Sequence, residues 1–141
     1  MDFAKEKICL EFEMSQTGHQ IVEAKINGKL LRFILDTAAG SSVLSKACLI
    51  ELGIQEVSSK EKASGLGTSE HEMGDIVVPE IELGGTLFGS TEFVSLNLEH
   101  VQAAGGEKGV HGLLGSPFFS KYAAIIDFGS NQVVLSNPIK S

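Results

Sequence analysis

The chain has 141 residues, of which 43% are hydrophobic and 21% charged, with a net charge of −7. This length and balance point to one globular domain, residues 1–141, with enough apolar material for a real core. The acidic charge, with no Lys/Arg cluster, argues against a nucleic-acid surface and predicts weak attraction to anionic membranes. It also predicts better tolerance of cationic or neutral substrates than of acidic ones.

Sixteen glycines against three prolines predict many tight turns, which suits short strands better than long helices. Cys9 and Cys48 are too few and too far apart to form a disulfide framework. No apolar run approaches the ~20 residues that span a bilayer. Met1 to Lys7 is charged and lacks the apolar core of a signal peptide, so the chain reads as non-exported and cytoplasmic as it stands. A periplasmic or secreted location stays open.

From Ile8 to Met14 apolar and charged residues alternate, the period of a half-buried strand. Ser15 to His19 is a turn. Ile21 to Ile26 is a second strand, and Asn27-Gly28 is a strong hairpin signal that returns the chain through Lys29 to Leu35. Ser45 is placed to cap a helix over Lys46 to Leu52 that stops at Gly53. Ile54 to Lys62 reads as an edge strand, and Ser64 to Thr68 sets Leu66 between Gly65 and Gly67.

Further strands are expected from Glu70 to Val78, Ile81 to Leu83 and Phe88 to Leu96. Asn97 to Gly112 carries little pattern: one helical turn around Leu98 to Ala104, then a loop at Gly105-Gly106. His111 to Gly115 is a short apolar strand bracketed by glycines, and Pro117 suits the first turn of a helix over Ser116 to Tyr122. Ala123 to Phe128 and Gln132 to Leu135 make a closing hairpin. The expected fold is mainly β, a small closed barrel of about seven to nine short strands with one or two short helices.

The stretch from Phe33 to Leu44 stands out. An apolar run delivers Asp36 to a turn of small residues, after which Val43-Leu44 resumes. A carboxylate at the end of a buried strand is costly unless water, hydrogen bonds or a second titrating group accommodates it. The small residues that follow let amide donors and a ligand come close. On these residues alone, a binding or catalytic carboxylate and a merely structural helix cap or Asx-turn both remain open.

Three features in order resemble the retropepsin-like (retroviral-type) aspartic proteases, in particular their bacterial single-domain branch. Leu35 to Leu44 follows the family's apolar-Asp-Thr/Ser-Gly-Ala-x-x-Ser/Thr-apolar-apolar box, departing at Ala38. Ser64 to Thr68 is similar to the glycine-bearing flap, and Leu113-Leu114-Gly115 to the late apolar-apolar-Gly element before a short helix. Lys121 to Phe128 is similar to the bacterial branch, and the resemblance spans about residues 21–135.

The resemblance implies an aspartic endopeptidase of the acid-protease fold, one lobe per chain. It acts as a homodimer on peptide or protein substrates, with no cofactor and no metal. It implies Asp36 as the catalytic residue, and Thr37, Ala38 and Ala39 as the active-site turn and dimer lock. Gly65, Leu66 and Gly67 would form the flap. Val43, Leu44, Leu113, Leu114 and Gly115 would line an apolar substrate pocket.

Ala38 keeps the amide donor but adds a Cβ, at a cost of ~1–2 kcal/mol if the turn needs left-handed geometry. An inactive or weakened peptide-binding or dimerisation module on the same fold is the alternative. Gly40 stands where retroviral enzymes carry an acidic residue that grips substrate backbone, so the resemblance does not by itself imply their specificity.

The remaining candidates read as structural. Asp127 lacks a following Ser/Thr and precedes a hairpin turn. His19, His71, His100 and His111 are scattered without a metal-binding spacing. Cys48 reads as a small core residue in a helix.

Overall fold

A computed structural model of the chain describes residues 6–58 and 74–136. It is mainly β. Its strands are β1 (Lys7–Glu11), β2 (Glu13–Met14), β3 (Gln20–Ile26), β4 (Lys29–Leu35), β5 (Ser42–Ser45) and β6 (Val57–Ser58). They continue with β7 (Gly74–Val78), β8 (Ile81–Leu83), β9 (Thr86–Phe88), β10 (Thr91–Leu96), β11 (Gly112–Leu114), β12 (Ile125–Asp127) and β13 (Gln132–Ser136). Helices α1 (Lys46–Leu52) and α2 (Ser116–Lys121) are short, and a 3-10 segment over Glu99–Lys108 is interrupted at Gly106, whose φ of 68° and ψ of −147° are not helical.

The large sheet runs β6-β7-β10-β5-β11-β4-β3-β8-β9, with β2 paired to β3. Strands β7 and β8 are separated only by Pro79 and Glu80, yet lie toward opposite ends of that order. Strands β9 and β10, joined by Gly89 and Ser90, are split the same way. Such short connections force the sheet to curl back on itself around one core. A second sheet, β1-β13-β12, pairs the N-terminal strand with the C-terminal one over Lys7↔Ser136 to Glu11↔Gln132.

Local chemistry accounts for the clearest elements. At the β3–β4 hairpin, Asn27 and Gly28 both adopt positive φ, as a two-residue primed turn requires. Ser45 accepts a hydrogen bond from the Ala47 amide at 3.2 Å at the start of α1, and Gly53 ends that helix at φ 70°. Alternation along β3 puts Val22, Ala24 and Ile26 in the core and leaves Glu23 and Lys25 exposed.

The run expected from Ile8 to Met14 is two strands instead. It breaks at Phe12, which is buried and donates its amide to the Asn131 carbonyl at 2.9 Å. The pieces serve different sheets, β1 pairing with β13 and β2 with β3. Phe88 to Leu96 likewise divides into β9 and β10.

From Leu31 to Leu35, strand β4 is covered on both faces, which explains its nearly unbroken apolar run there. Leu31, Phe33 and Leu35 enter the main core, whereas Ile34 joins Ile21, Ala104 and Val110 on the other side. Arg32 points to that second side and is only 5% exposed. Its guanidinium donates to the Gly105 carbonyl at 2.9 Å, to the Gly109 carbonyl at 3.0 Å and to Glu13 at 2.9 Å. One side chain therefore fastens the 3-10 region across the strand that leads to Asp36.

A second polar chain ties residue 56 to residue 74. The Gly74 amide donates to Ser95 Oγ at 3.0 Å, the Ser95 hydroxyl donates to Glu56, and Lys46 pairs with Glu56 at 3.0 Å.

Arg32→Met should destabilise the fold by about 2–3 kcal/mol, because carbonyls at a largely buried site lose their donor. Urea unfolding checks this; a change under about 0.5 kcal/mol, the range of ordinary surface substitutions, would show that the clamp contributes little.

Candidate active site

Strands β4 and β5 are consecutive in sequence, yet β11 lies between them, parallel to β4 and antiparallel to β5. The turn from Asp36 to Ser41 must therefore arch over the end of β11. It is held there from both sides. The Asp36 amide donates to the Leu114 carbonyl at 2.9 Å, and the Ser116 amide donates to the Ala39 carbonyl at 2.8 Å. The Gly115 amide donates to Ser42 Oγ at 2.9 Å.

The crossing needs glycine at 115. A Cβ there would lie 2.6 Å from the Ser41 carbonyl oxygen and 2.9 Å from that of Ala39, closer than side-chain carbons are found. Its φ of −103° is ordinary, so close approach alone imposes the residue.

Asp36 is half-buried at the arch, with Thr37 and Ala38 exposed beside it. The Ala38 amide donates to Asp36 Oδ1 at 3.2 Å, and the Ala39 amide to the Asp36 carbonyl at 3.0 Å. Among the described residues, Oδ2 and the Thr37 hydroxyl have no hydrogen-bond partner. Ala38 does not adopt positive φ, so the left-handed penalty that its Cβ threatened does not arise.

A cavity of about 420 Å³ opens beside Asp36. Its apolar walls include Ile34, Leu35, Val101, Ala104 and Leu113, and exposed Thr17, His19 and His100 stand at its mouth. A larger cleft of about 670 Å³ lies on the far side of the turn, lined by Gly40, Ser41, Ile76 and Phe118 among others. Only the smaller cavity contains Asp36.

Of the five residues expected to line a pocket, Leu113 reaches that cavity. Leu44 and Leu114 are 0% and 1% exposed in the main core, and Val43 packs against Val94 and Leu98. Gly115 is buried at the crossing. The expected flap residues Gly65, Leu66 and Gly67 lie outside the described residues.

Sequence reasoning missed Thr17, His19 and His100, which the fold assembles from distant segments. It also missed the roles of Ser42 and Arg32. Ser42 occupies the Ser/Thr place of the Asp-Thr box, and that was the available signal.

Asp127 sits in the β12–β13 turn, accepting from the Gly129 amide at 2.8 Å and the Ser130 hydroxyl at 2.9 Å. Those bonds, the Ser130 hydroxyl foremost, hold its carboxyl below the usual range. Its role is to close the hairpin. Among the described residues no group of three or more His, Cys, Asp or Glu is placed to hold a metal ion. No helix among them is long and apolar enough to cross a membrane.

His111 supports the site from behind, its Nδ1 accepting from the Arg32 amide at 2.9 Å. Burial first, and the Arg32 charge second, push its pKa below the ordinary 6.5.

The fold and the arched Asp-Thr turn define a retropepsin-like lobe. A family model described as aspartyl protease matches residues 22–118, more than half of the chain. The chain belongs to the aspartyl protease family. A comparison with curated proteins finds no match in sequence.

Among solved structures, a retropepsin-like aspartic protease from Rickettsia conorii superposes with a TM-score of 0.62 at 16% identity, covering 96% of this chain and 94% of that one. The retroviral protease-like domain of Ddi1 from Leishmania major gives 0.58 at 16% identity, covering 84% and 93%. EIAV protease complexed with the inhibitor HBY-793 gives 0.52 at 19% identity, covering 75% and 89%. At these identities the likeness is one of fold.

Stability should fall on acidification in two stages. His111 binds its proton less readily when folded, so its contribution is complete above pH 6.5 and is lost as pH falls through its lower folded value. Glu13, held down mainly by the Arg32 hydrogen bond, and Glu56, held down by Ser95 and then Lys46, follow below their ordinary 4.5. Thermal unfolding across pH 3–8 checks this. His111→Asn, which keeps an acceptor but cannot titrate, should remove the upper stage and leave the lower.

Proposed function

We propose that two copies of this chain pair about a two-fold axis, bring their Asp36 carboxylates together and hydrolyse peptide bonds. The observation that carries this reading is the half-buried Asp36 on its arched turn, presented once per chain beside a cavity. Amide hydrolysis of this kind needs a carboxylate to activate water and a carboxylic acid to protonate the carbonyl oxygen. One Asp36 serves as either but not as both. A symmetric dimer supplies the second group without further sequence.

Two carboxylates ~3 Å apart do not both ionise, so they share a proton and titrate as a coupled pair. The exposed Thr37 hydroxyl can donate and accept at once, which suits a bond across the axis. Ala38 keeps its amide on Asp36 Oδ1 at a negative φ, which supports a competent turn over a decayed one. Substrate would lie extended, with alternate side chains entering pockets such as the one beside Asp36.

Purified protein should cleave a diverse peptide mixture between about pH 4 and 7, with activity falling once pH passes the upper pKa of the pair. Asp36→Asn should lower kcat/KM by about 10³-fold or more. Cleavage that survives this substitution would remove Asp36 from the mechanism. Ala38→Gly should change kcat/KM by less than about threefold, the scale of an exposed substitution without strain relief. Strong activation would mean that Ala38 holds the turn in an unproductive form.

A further inference from the structure

The cavity beside Asp36 is apolar along its walls and imidazole-bearing at its mouth. His19 comes from the β2–β3 turn and His100 from the 3-10 segment, so the two reach it from unrelated parts of the chain. The position of His19 is built. Its Nδ1 lies 2.8 Å from Thr17 Oγ1, which is 2.9 Å from Ser15 Oγ, and Ser15 Oγ accepts from the His19 amide at 3.1 Å. With Nδ1 engaged, Nε2 is the ring nitrogen left for a ligand. The His100 ring has no hydrogen-bond partner among the described residues.

We propose that this pocket selects, at the substrate position it receives, glutamine or glutamate. The methylene stem would lie against Ile34, Val101 and Leu113, and the side-chain oxygen would accept from the His19 and His100 rings. This rests on the peptidase reading of Asp36 and adds its side-chain preference. An imidazole offers an N–H in either protonation state and a positive charge when protonated. A Leu or Met of similar length fills the walls but leaves those donors without a protein-bound acceptor.

The net charge of −7 does not decide against an acidic tip. Exposed charges more than about 10 Å away are largely screened at ordinary ionic strength, whereas the imidazoles line the pocket itself. Asp36 shares the cavity and disfavours anions locally, which is why the uncharged glutamine belongs to the preferred pair.

The test is a set of peptides identical except at the residue entering this pocket, carrying Gln, Glu, Leu, Met or Lys. The wild-type protein should favour Gln and Glu over Leu and Met by about tenfold in kcat/KM, the scale of one net hydrogen bond. In the His19→Leu/His100→Leu double variant that preference should shrink to about twofold or less. His19→Gln/His100→Gln, which restores amide donors, should recover most of it. A preference for Leu, Met or Lys in the wild type, or one for Gln and Glu that survives the Leu double variant, would overturn the proposal.

Kd values for the same peptides on Asp36→Asn protein separate this inference from the peptidase reading. The same Gln and Glu preference in binding, without wild-type cleavage, would uphold the pocket and refute the peptidase. Cleavage without the preference would do the reverse, and no binding of any of these peptides would overturn the pocket.

Discussion

The site depends on one backbone crossing. Because β11 is inserted between β4 and β5, the Asp36–Ser41 turn passes directly over its end, and hydrogen bonds to Leu114, Gly115 and Ser116 lock the two segments. Gly115 permits the approach, since any Cβ would sit within 3 Å of two carbonyl oxygens. The position of the Asp36 carboxylate therefore follows from strand order and one missing side chain. It owes little to the identity of the exposed residues around it, which is consistent with Ala38 being accommodated there without strain.

Behind this crossing stands a polar frame centred on Arg32. A buried guanidinium is expensive unless its donors are all used. Here they reach the carbonyls of Gly105 and Gly109 and the Glu13 carboxylate. The same residue's backbone amide engages His111, immediately before β11. Arg32 thus connects β4, the 3-10 region and the approach to β11. That frame works best with Glu13 ionised and His111 neutral, a combination that acid removes. An aspartic dyad, in contrast, needs a proton kept on one carboxyl. The two requirements oppose each other as pH falls, so the fold's tolerance of acid sets a lower bound on any working range.

Much of this was legible in the residues themselves. Asn27-Gly28, Ser45 with Gly53, and the alternation of β3 each carry a local signal whose geometry needs no distant partner. The Asp-Thr box and the late glycine pointed to the fold class through their resemblance to a known family, although what they encode is a long-range crossing. What was hidden is non-local. The alternation from Ile8 to Met14 shows which residues are apolar but not that its two halves pair with different strands. Asn97 to Gly112 has no strong apolar period, and it owes part of its fixing to a guanidinium from β4 that no local pattern reveals. Leu113 and Leu114 are equally apolar, yet alternation turns the first toward the cavity and the second into the core. His19 and His100 looked scattered because only the curled sheet brings them to one mouth.

The pairing of β1 with β13 within one chain does not itself require a second copy. The Asp36 turn does, under the reading proposed here, because its chemistry takes two carboxylates. Folding and catalysis are then separable: a lobe can be stable while inactive, and activity depends on the concentration of paired lobes by mass action. Arg32, Gly115 and Ser42 would act mainly through the stability of each lobe. Thr37, exposed and without a hydrogen-bond partner for its hydroxyl among the described residues, would act through the association of two. The division places control of the proposed activity at the turn itself, in the few exposed residues that a second copy would touch.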